Sequence, residues 1–195
     1  MADSRVMVLG CSPRKEGNSD RAVGEIAETM ENQGCHVESI FLRDKKILPC
    51  MGCRKCGTSK KNRCILAGKD NVQEILDKIQ DSDMVFFSCP IYYYHVPSTF
   101  KALIDRGQSV YEAWAARGEP ELDLKQAYCI LIAGRKKGKR LFEGSLLSLK
   151  YFLYPLGFTL KDLCLRGIDL REDLAGDPHS REIIRQFARS AAGHP

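Results

Sequence analysis

The chain has 195 residues, 44% of them apolar and 28% charged. That is the make-up of one ordinary globular domain of about 100–200 residues, and it excludes a disordered or low-complexity chain. The net charge of +5 points to anionic ligands or partners. The longest uncharged apolar run, residues 84–96, contains Ser88 and His95 and falls short of the roughly 18 residues of a membrane span, so no membrane insertion is expected. The first residues lack the basic, apolar and small-residue regions of a signal peptide, and a cytoplasmic location is expected.

In chain order, apolar runs alternate with amphipathic stretches. Residues 5–10 read as a first strand that leads into a polar loop. Residues 19–33 carry Ala22, Ile26, Ala27 and Met30 at helical spacing and stop at Gly34. A second strand is expected over 37–42. Residues 43–69 have neither period, and a loop of that length inside a compact domain is either functional or disordered; its cysteines favour function. Val72, Ile75, Leu76 and Ile79 form one face of a helix over 71–80. Residues 84–88 form a continuous apolar run of the kind found in buried parallel strands. A short helix is expected over 98–106, a strand over 128–133, a long helix over 142–156, a fifth strand over 159–165 and a closing helix over 180–192. Five strands alternating with helices predict a single α/β domain over 1–195, with a parallel sheet, right-handed crossovers and a cysteine-rich insertion at 43–69. In such sheets ligands bind at the carboxyl ends of the strands, so the loops starting at Gly10, Pro90 and Gly134 are expected to share one site.

The first of these loops, Gly10-Cys-Ser-Pro-Arg-Lys-Glu-Gly-Asn-Ser19, gathers donors. Ser12, Arg14, Asn18, Ser19 and the free N–H groups of a helix N-terminus suit a monophosphate. It is neither a Walker loop nor the glycine fingerprint of dinucleotide folds, because the glycines stand at other intervals. The alternative is an ordinary polar turn with Ser19 as helix cap.

This loop, with Cys50-x-Gly-Cys53-x-x-Cys56, Pro90-Ile-Tyr-Tyr93 and Phe100-Lys-Ala-Leu-Ile-Asp-Arg106, resembles the flavodoxin-like NADPH-dependent FMN reductase family, and within it the iron-sulfur flavoproteins. The resemblance runs from Arg5 to about Gly157. It implies a five-stranded flavodoxin-like sheet of order 2-1-3-4-5 with helices on both faces, holding FMN. By matching positions, Ser12, Arg14, Asn18 and Ser19 would hold the phosphate. Pro90, Ile91, Tyr92 and Tyr93 would line the isoalloxazine ring, and Ala133 and Gly134 would form the third loop. An uncharged, tyrosine-rich turn at a strand's carboxyl end suits a flat heterocycle on physical grounds as well. One of the three consecutive tyrosines is expected to meet a second subunit instead, with Tyr94 the candidate.

Cys50, Cys53 and Cys56 stand three residues apart, and Cys64 follows. Such a run can wrap three corners of a cubane with a fourth ligand from further on, as in bacterial ferredoxins, so a [4Fe-4S] cluster is the leading reading. Structural zinc prefers two separated Cys or Cys/His pairs. A loop without metal is the other alternative, because proteins of the wider family can keep such cysteines without a cluster. Arg43, Lys45, Lys46, Arg54, Lys55, Lys60, Lys61 and Arg63 surround the cysteines with Asp44 as the only acid, which suits an anionic group or partner. Cys35, Cys89, Cys129 and Cys164 read as core residues, and Cys11 as packing or as a reactive thiol. His36, His95, His179 and His194 are dispersed and show no ligand spacing; only His95 stands near the expected ring.

These readings point to an FMN-dependent oxidoreductase that passes electrons between a ferredoxin-like donor and a small acceptor such as a quinone or an oxygen species. The alternatives are a cluster-free NAD(P)H-dependent FMN or quinone reductase and, more remotely, a zinc-bearing nucleic-acid-binding module; otherwise no nucleic acid is expected as a partner. The basic run 135–140 would dock an acidic donor protein, or else grip the 2'-phosphate of NADPH. The strand order implied puts the second strand at the sheet edge, so the cysteine loop would leave the domain beside its own flavin. A homodimer or homotetramer is therefore expected, with a partner subunit bringing its loop across.

Overall fold

The computed structural model describes residues 3–191. Its expected closing-helix end at Ala192, and His194, lie outside the described residues. One parallel sheet has the strand order β2-β1-β3-β4-β5, with β1 Arg5–Gly10, β2 His36–Phe41, β3 Met84–Pro90, β4 Lys125–Ala133 and β5 Phe158–Arg166. This is the flavodoxin-like topology expected. Side chains alternate along each strand, so each face of the sheet acquires its own core. Val6 and Val8 of β1, with Phe86 of β3 and Ile130 of β4, pack against helices α1 (Asn18–Glu31) and α7 (Pro178–Ala191). Met7, Leu9, Phe87 and Leu131 face α3 (Val72–Asp81), α4 (Ser98–Arg106), α5 (Gln108–Ala115) and α6 (Glu143–Leu153). Ile26, Ile75, Phe87 and Phe100 are fully buried, each contributing about 1.5–3 kcal/mol.

Three details differ from expectation. The stretch 108–115 is helical, although it carries no apolar stripe: of its residues only Ser109 and Val110 are buried, while Tyr111 is exposed. The insertion is not wholly irregular, since it opens with a 3-10 turn at Leu42–Asp44 and contains one helical turn, α2 (Lys55–Thr58). The long helix ends at Leu153 and tightens into a 3-10 turn, Tyr154–Leu156, because Pro155 removes a donor.

The neck of the insertion is closed by polar contacts. The Asn71 N–H donates to the Lys46 carbonyl at 2.9 Å, and the Lys46 N–H donates to Asn71 Oδ1 at 3.0 Å. Beside them, Arg106 of α4 grips Asp70 through Nη1 at 2.7 Å and Nη2 at 3.4 Å. The same Nη1 donates to the Leu48 carbonyl, and the Leu48 and Val72 N–H groups donate to the Asp70 carboxylate. Both ends of the cysteine segment are thus tied to one guanidinium. The Arg106 and Asp70 side chains are 1% and 0% exposed; this burial is tolerable only because nearly every polar atom is paired.

No helix is long and apolar enough to cross a membrane among the described residues.

Candidate functional site

At the carboxyl ends of β1, β3 and β4 lies a cavity of about 450 Å³. From the first loop it takes Ser12, Arg14, Asn18 and Ser19, from the second Pro90, Ile91 and Tyr92, and from the third Gly134. Tyr93 and Ala133 line an adjoining cavity of about 420 Å³ that shares Ile91, Gly134 and Asp169 with the first. Three segments distant in sequence are brought together in this way.

The phosphate-type loop is braced by a residue counted above among the cations of the cysteine segment. Arg43 Nη1 donates to Asp20 Oδ1 at 2.8 Å and to the Ser12 and Arg14 carbonyls, and its guanidinium stacks 4.4 Å from the Phe41 ring. That ring in turn requires Gly10, where a Cβ would come within 2.4 Å of Phe41 Cδ1. Arg43 is therefore part of the scaffold of this first loop, not of a free basic surface. Ser19 does not cap α1; it sits buried in the helix's first turn, and Gly17 precedes the helix. Ser88 Oγ at the end of β3 donates to the Ser19 carbonyl, fixing the two loops to each other. Ser12, Ser19 and the helix N-terminus leave their donors facing a space that suits an anion.

The tyrosine turn has unusual backbone geometry. Tyr92 and His95 exchange both backbone hydrogen bonds, at 2.8 and 3.0 Å, around Tyr93 and Tyr94, whose φ angles are 48° and 63°. Two central residues at positive φ are the mark of a primed hairpin turn, which Asn and Gly adopt readily and aromatic residues do not. The Tyr93 side chain is fully exposed. Tyr92 accepts a hydrogen bond from Arg14 Nε at 3.3 Å, and Tyr94 accepts one from Arg135 Nη1 at 2.9 Å. His95 is turned away from the cavities and bonds to Ser148 of α6 at 3.0 Å; burial lowers its pKa, with the nearby Lys101 adding to the effect.

Sequence reading missed a fourth wall. The chain after β5 folds back so that Ile168, Asp169 and Arg171 line the main cavity. Asp169 lies so close to Gly134 that a Cβ there would come within 2.7 Å of its carboxyl carbon. Ion pairs Arg171–Glu16 and Arg21–Glu172 pin this segment to the first loop and to α1, and the Asn18 amide bonds to its backbone. No periodicity marks the segment; only its alternation of opposite charges with Glu16 and Arg21, some 150 positions away, carried a signal.

A second cavity, of about 470 Å³, shares no residue with the first. Cys50, Cys53, Cys56 and Cys64 all line it, with Arg106, Ser109 and Glu112 on the opposite wall. Burial pushes the Cys56 thiol up, and the charge of Glu112 and the thiol of Cys64 act in the same direction. Among the described residues no three His, Cys, Asp or Glu side chains converge closely enough to hold one metal ion. In a cubane each thiolate takes its own iron, so the sulfurs stand further apart than around a single ion; four cysteines around one cavity suit that demand better than zinc. Arg106 supplies a second sign of fit: its Nε is buried without a hydrogen-bond partner. The other cysteines are structural: Cys35, Cys89 and Cys129 are buried, and Cys164 packs against the core half-exposed. Cys11 is buried within the core, and that burial pushes its thiol up despite the opposing hydrogen bond with Cys89.

Residues 4–153 match the family described as NADPH-dependent FMN reductase. The chain belongs to this family. An iron-sulfur flavoprotein of Methanocaldococcus jannaschii is 34% identical over 104 residues, 53% of this chain and 52% of that protein. One from Archaeoglobus fulgidus is 36% identical over 101 residues, 52% of this chain and 44% of its own length. The chain thus spans about half the length of these relatives. Among solved structures, the NAD(P)H:quinone oxidoreductase from Methanothermobacter marburgensis superposes with a TM-score of 0.68 at 18% identity, covering 97% of this chain and 98% of that one. At that identity the likeness shows the fold.

Proposed function

We propose that this FMN reductase family member is an FMN-containing iron-sulfur flavoprotein that moves electrons between a ferredoxin-like donor and a small acceptor. FMN would occupy the cavity of the three loops, and a [4Fe-4S] cluster would be held by Cys50, Cys53, Cys56 and Cys64. When bound, the flavin exchanges electrons singly or in pairs and the cluster exchanges them singly. The chain's part is to hold and to exclude. Ser12, Ser19 and Arg14 offer hydroxyl and guanidinium donors to a phosphate, and Pro90, Ile91 and Tyr92 offer a flat apolar wall. Tyr93 and Ala133 extend that wall into the adjoining cavity. The observation that carries the cluster is that all four cysteines line one cavity whose neck is locked by Asp70 and Arg106.

Because the two cavities share no residue, the cluster of one subunit would serve the flavin of another in a homodimer or homotetramer, and the partly exposed Tyr94 offers an aromatic contact there. A second reading, a cluster-free NAD(P)H-dependent reductase, is favoured by the family match itself, which is to NADPH-dependent FMN reductases.

Anaerobically purified protein decides between them. The expected outcome is a brown protein with one FMN and equal iron and acid-labile sulfide, both lost in Cys53→Ser and kept in Cys129→Ser. Replacing Arg14 by Ala should weaken FMN binding by about 10- to 100-fold, as a lost charge-assisted hydrogen bond of about 1.5–3 kcal/mol requires. A yellow protein without iron supports the cluster-free reading, and unchanged flavin affinity in Arg14→Ala removes the phosphate site.

A further inference from the structure

Arg106 has more donors than its known partners use. Its guanidinium carries five N–H groups. Nη1 serves Asp70 and the Leu48 carbonyl, and Nη2 serves Asp70. Nε is buried with no partner, in a side chain 1% exposed. An unmade hydrogen bond from a charged, buried donor costs about 1–3 kcal/mol or more, so the bond is expected to be made to something. Arg106 lines the cavity of the four cysteines and is the only one of that cavity's residues with an unpartnered buried side-chain donor among the described residues. The cavity's other guanidinium, Arg54, is exposed.

We propose that Arg106 Nε donates a hydrogen bond to a sulfur of the cluster, its inorganic sulfide or a ligating thiolate, and so raises the cluster's reduction potential. This rests on the cluster reading given above. Reduction adds one negative charge to the cluster, and a fixed cationic donor against its sulfur stabilises the reduced form more than the oxidised one. The ion pair with Asp70 fits this task. It holds the guanidinium plane in one orientation, so that the donor is in place before the electron arrives, and it ties the orientation to Leu48, two residues before the first cysteine. Arg106 is thus a positioning and tuning residue: one edge of its fork shapes the loop and its unpartnered Nε–H addresses what the loop holds.

Two measurements on the intact, cofactor-loaded protein test it. Protein grown on arginine labelled with nitrogen-15 at Nε is reduced anaerobically, and pulsed paramagnetic resonance of the reduced cluster should show a nitrogen-15 coupling. That coupling should persist in Arg54→Ala and vanish in Arg106→Lys. Lysine retains a cation for Asp70 but has no Nε, so Arg106→Lys should keep its iron and sulfide while its cluster midpoint shifts to more negative potential and the flavin midpoint stays put. A cluster-bearing wild type with no coupling, or an unshifted midpoint in an iron-replete Arg106→Lys, overturns this inference and leaves the cluster standing. Wild-type protein without iron and sulfide overturns both. Should Arg106→Lys fail to fold, the labelled wild type and Arg54→Ala still decide the matter.

Discussion

Asn18 holds Leu174 through its side-chain oxygen, which accepts the Leu174 N–H at 3.0 Å, while its amide nitrogen donates to the Leu170 carbonyl at 2.8 Å. One amide at the start of α1 therefore fastens the segment after β5 over the cavity of the three loops. Its nitrogen keeps a second proton that can still serve a phosphate. Replacing Asn18 by Leu removes both bonds and should cost about 1–2 kcal/mol of stability. FMN affinity, followed by flavin fluorescence, should fall about tenfold, with a faster release rate. Unchanged release would show that residues 168–174 do not guard the cavity.

Tyr93 is held at φ 48° and Tyr94 at φ 63°. A left-handed conformation costs a residue with a Cβ about 1–2 kcal/mol, and glycine escapes most of that while losing some chain entropy. Tyr93→Gly should therefore stabilise the flavin-free protein by about 0.5–1 kcal/mol in urea unfolding, and at the same time weaken flavin binding by removing the ring wall. A variant that gains stability with full flavin affinity would show that Tyr93 serves another surface.

The neck clamp makes an acid-sensitive prediction. Burial pushes the Asp70 carboxyl up, but hydrogen bonds from Arg106, Leu48 and Val72 together outweigh it and hold the pKa below its usual 3.8. A pKa lowered in the folded state gives stability that is present above the unfolded value and lost as pH falls through the folded one. Urea midpoints of the wild type should thus drop below about pH 4. Asp70→Asn should be flatter across that range and less stable near neutral pH by about 3–5 kcal/mol, because Arg106 is left buried and unpaired. An equal acid slope in both proteins would assign the loss to other carboxylates.

The basic run 135–140 stands at the carboxyl end of β4. Arg135 is engaged with Tyr94 and Arg140 with Glu143, leaving Lys136, Lys137 and Lys139 as the cations open to a partner. With an acidic ferredoxin as donor, reduction should slow steeply with rising salt, and Lys136→Glu with Lys137→Glu should slow it at low salt. Rapid reduction by NADPH alone, with the double variant raising only the KM for NADPH, would favour the nicotinamide donor.

The sheet was legible in the sequence because the strands are buried on both faces. Runs such as Val6 to Leu9 and Met84 to Phe87 leave no polar alternation, and that is what a central parallel strand demands. Helix α5 was not, because its large apolar side chains Tyr111 and Trp114 meet each other, ring centroids 5.9 Å apart and tilted, and leave no inward stripe. In the site, the first two loops could be read from local chemistry. Arg43 was misassigned because its partner Asp20 lies 23 positions back, and sequence charge density cannot tell a paired arginine from a free one. The Asp169 wall and the Arg106–Asp70 clamp are long-range juxtapositions of single residues, which no spacing encodes.

The mutual hydrogen bonds of Lys46 and Asn71 bring the entry and exit of the cysteine segment side by side. A loop whose two ends already touch can be shortened, lengthened or exchanged at small entropic cost, without pulling on the strands beneath it. The cysteine loop thus leaves and rejoins the flavodoxin-like body at one collar, and beyond it packs across its cavity against α4 and α5. A chain built this way can have that one contiguous stretch of some two dozen residues replaced as a unit, provided that an arginine waits on the neighbouring helix to receive it.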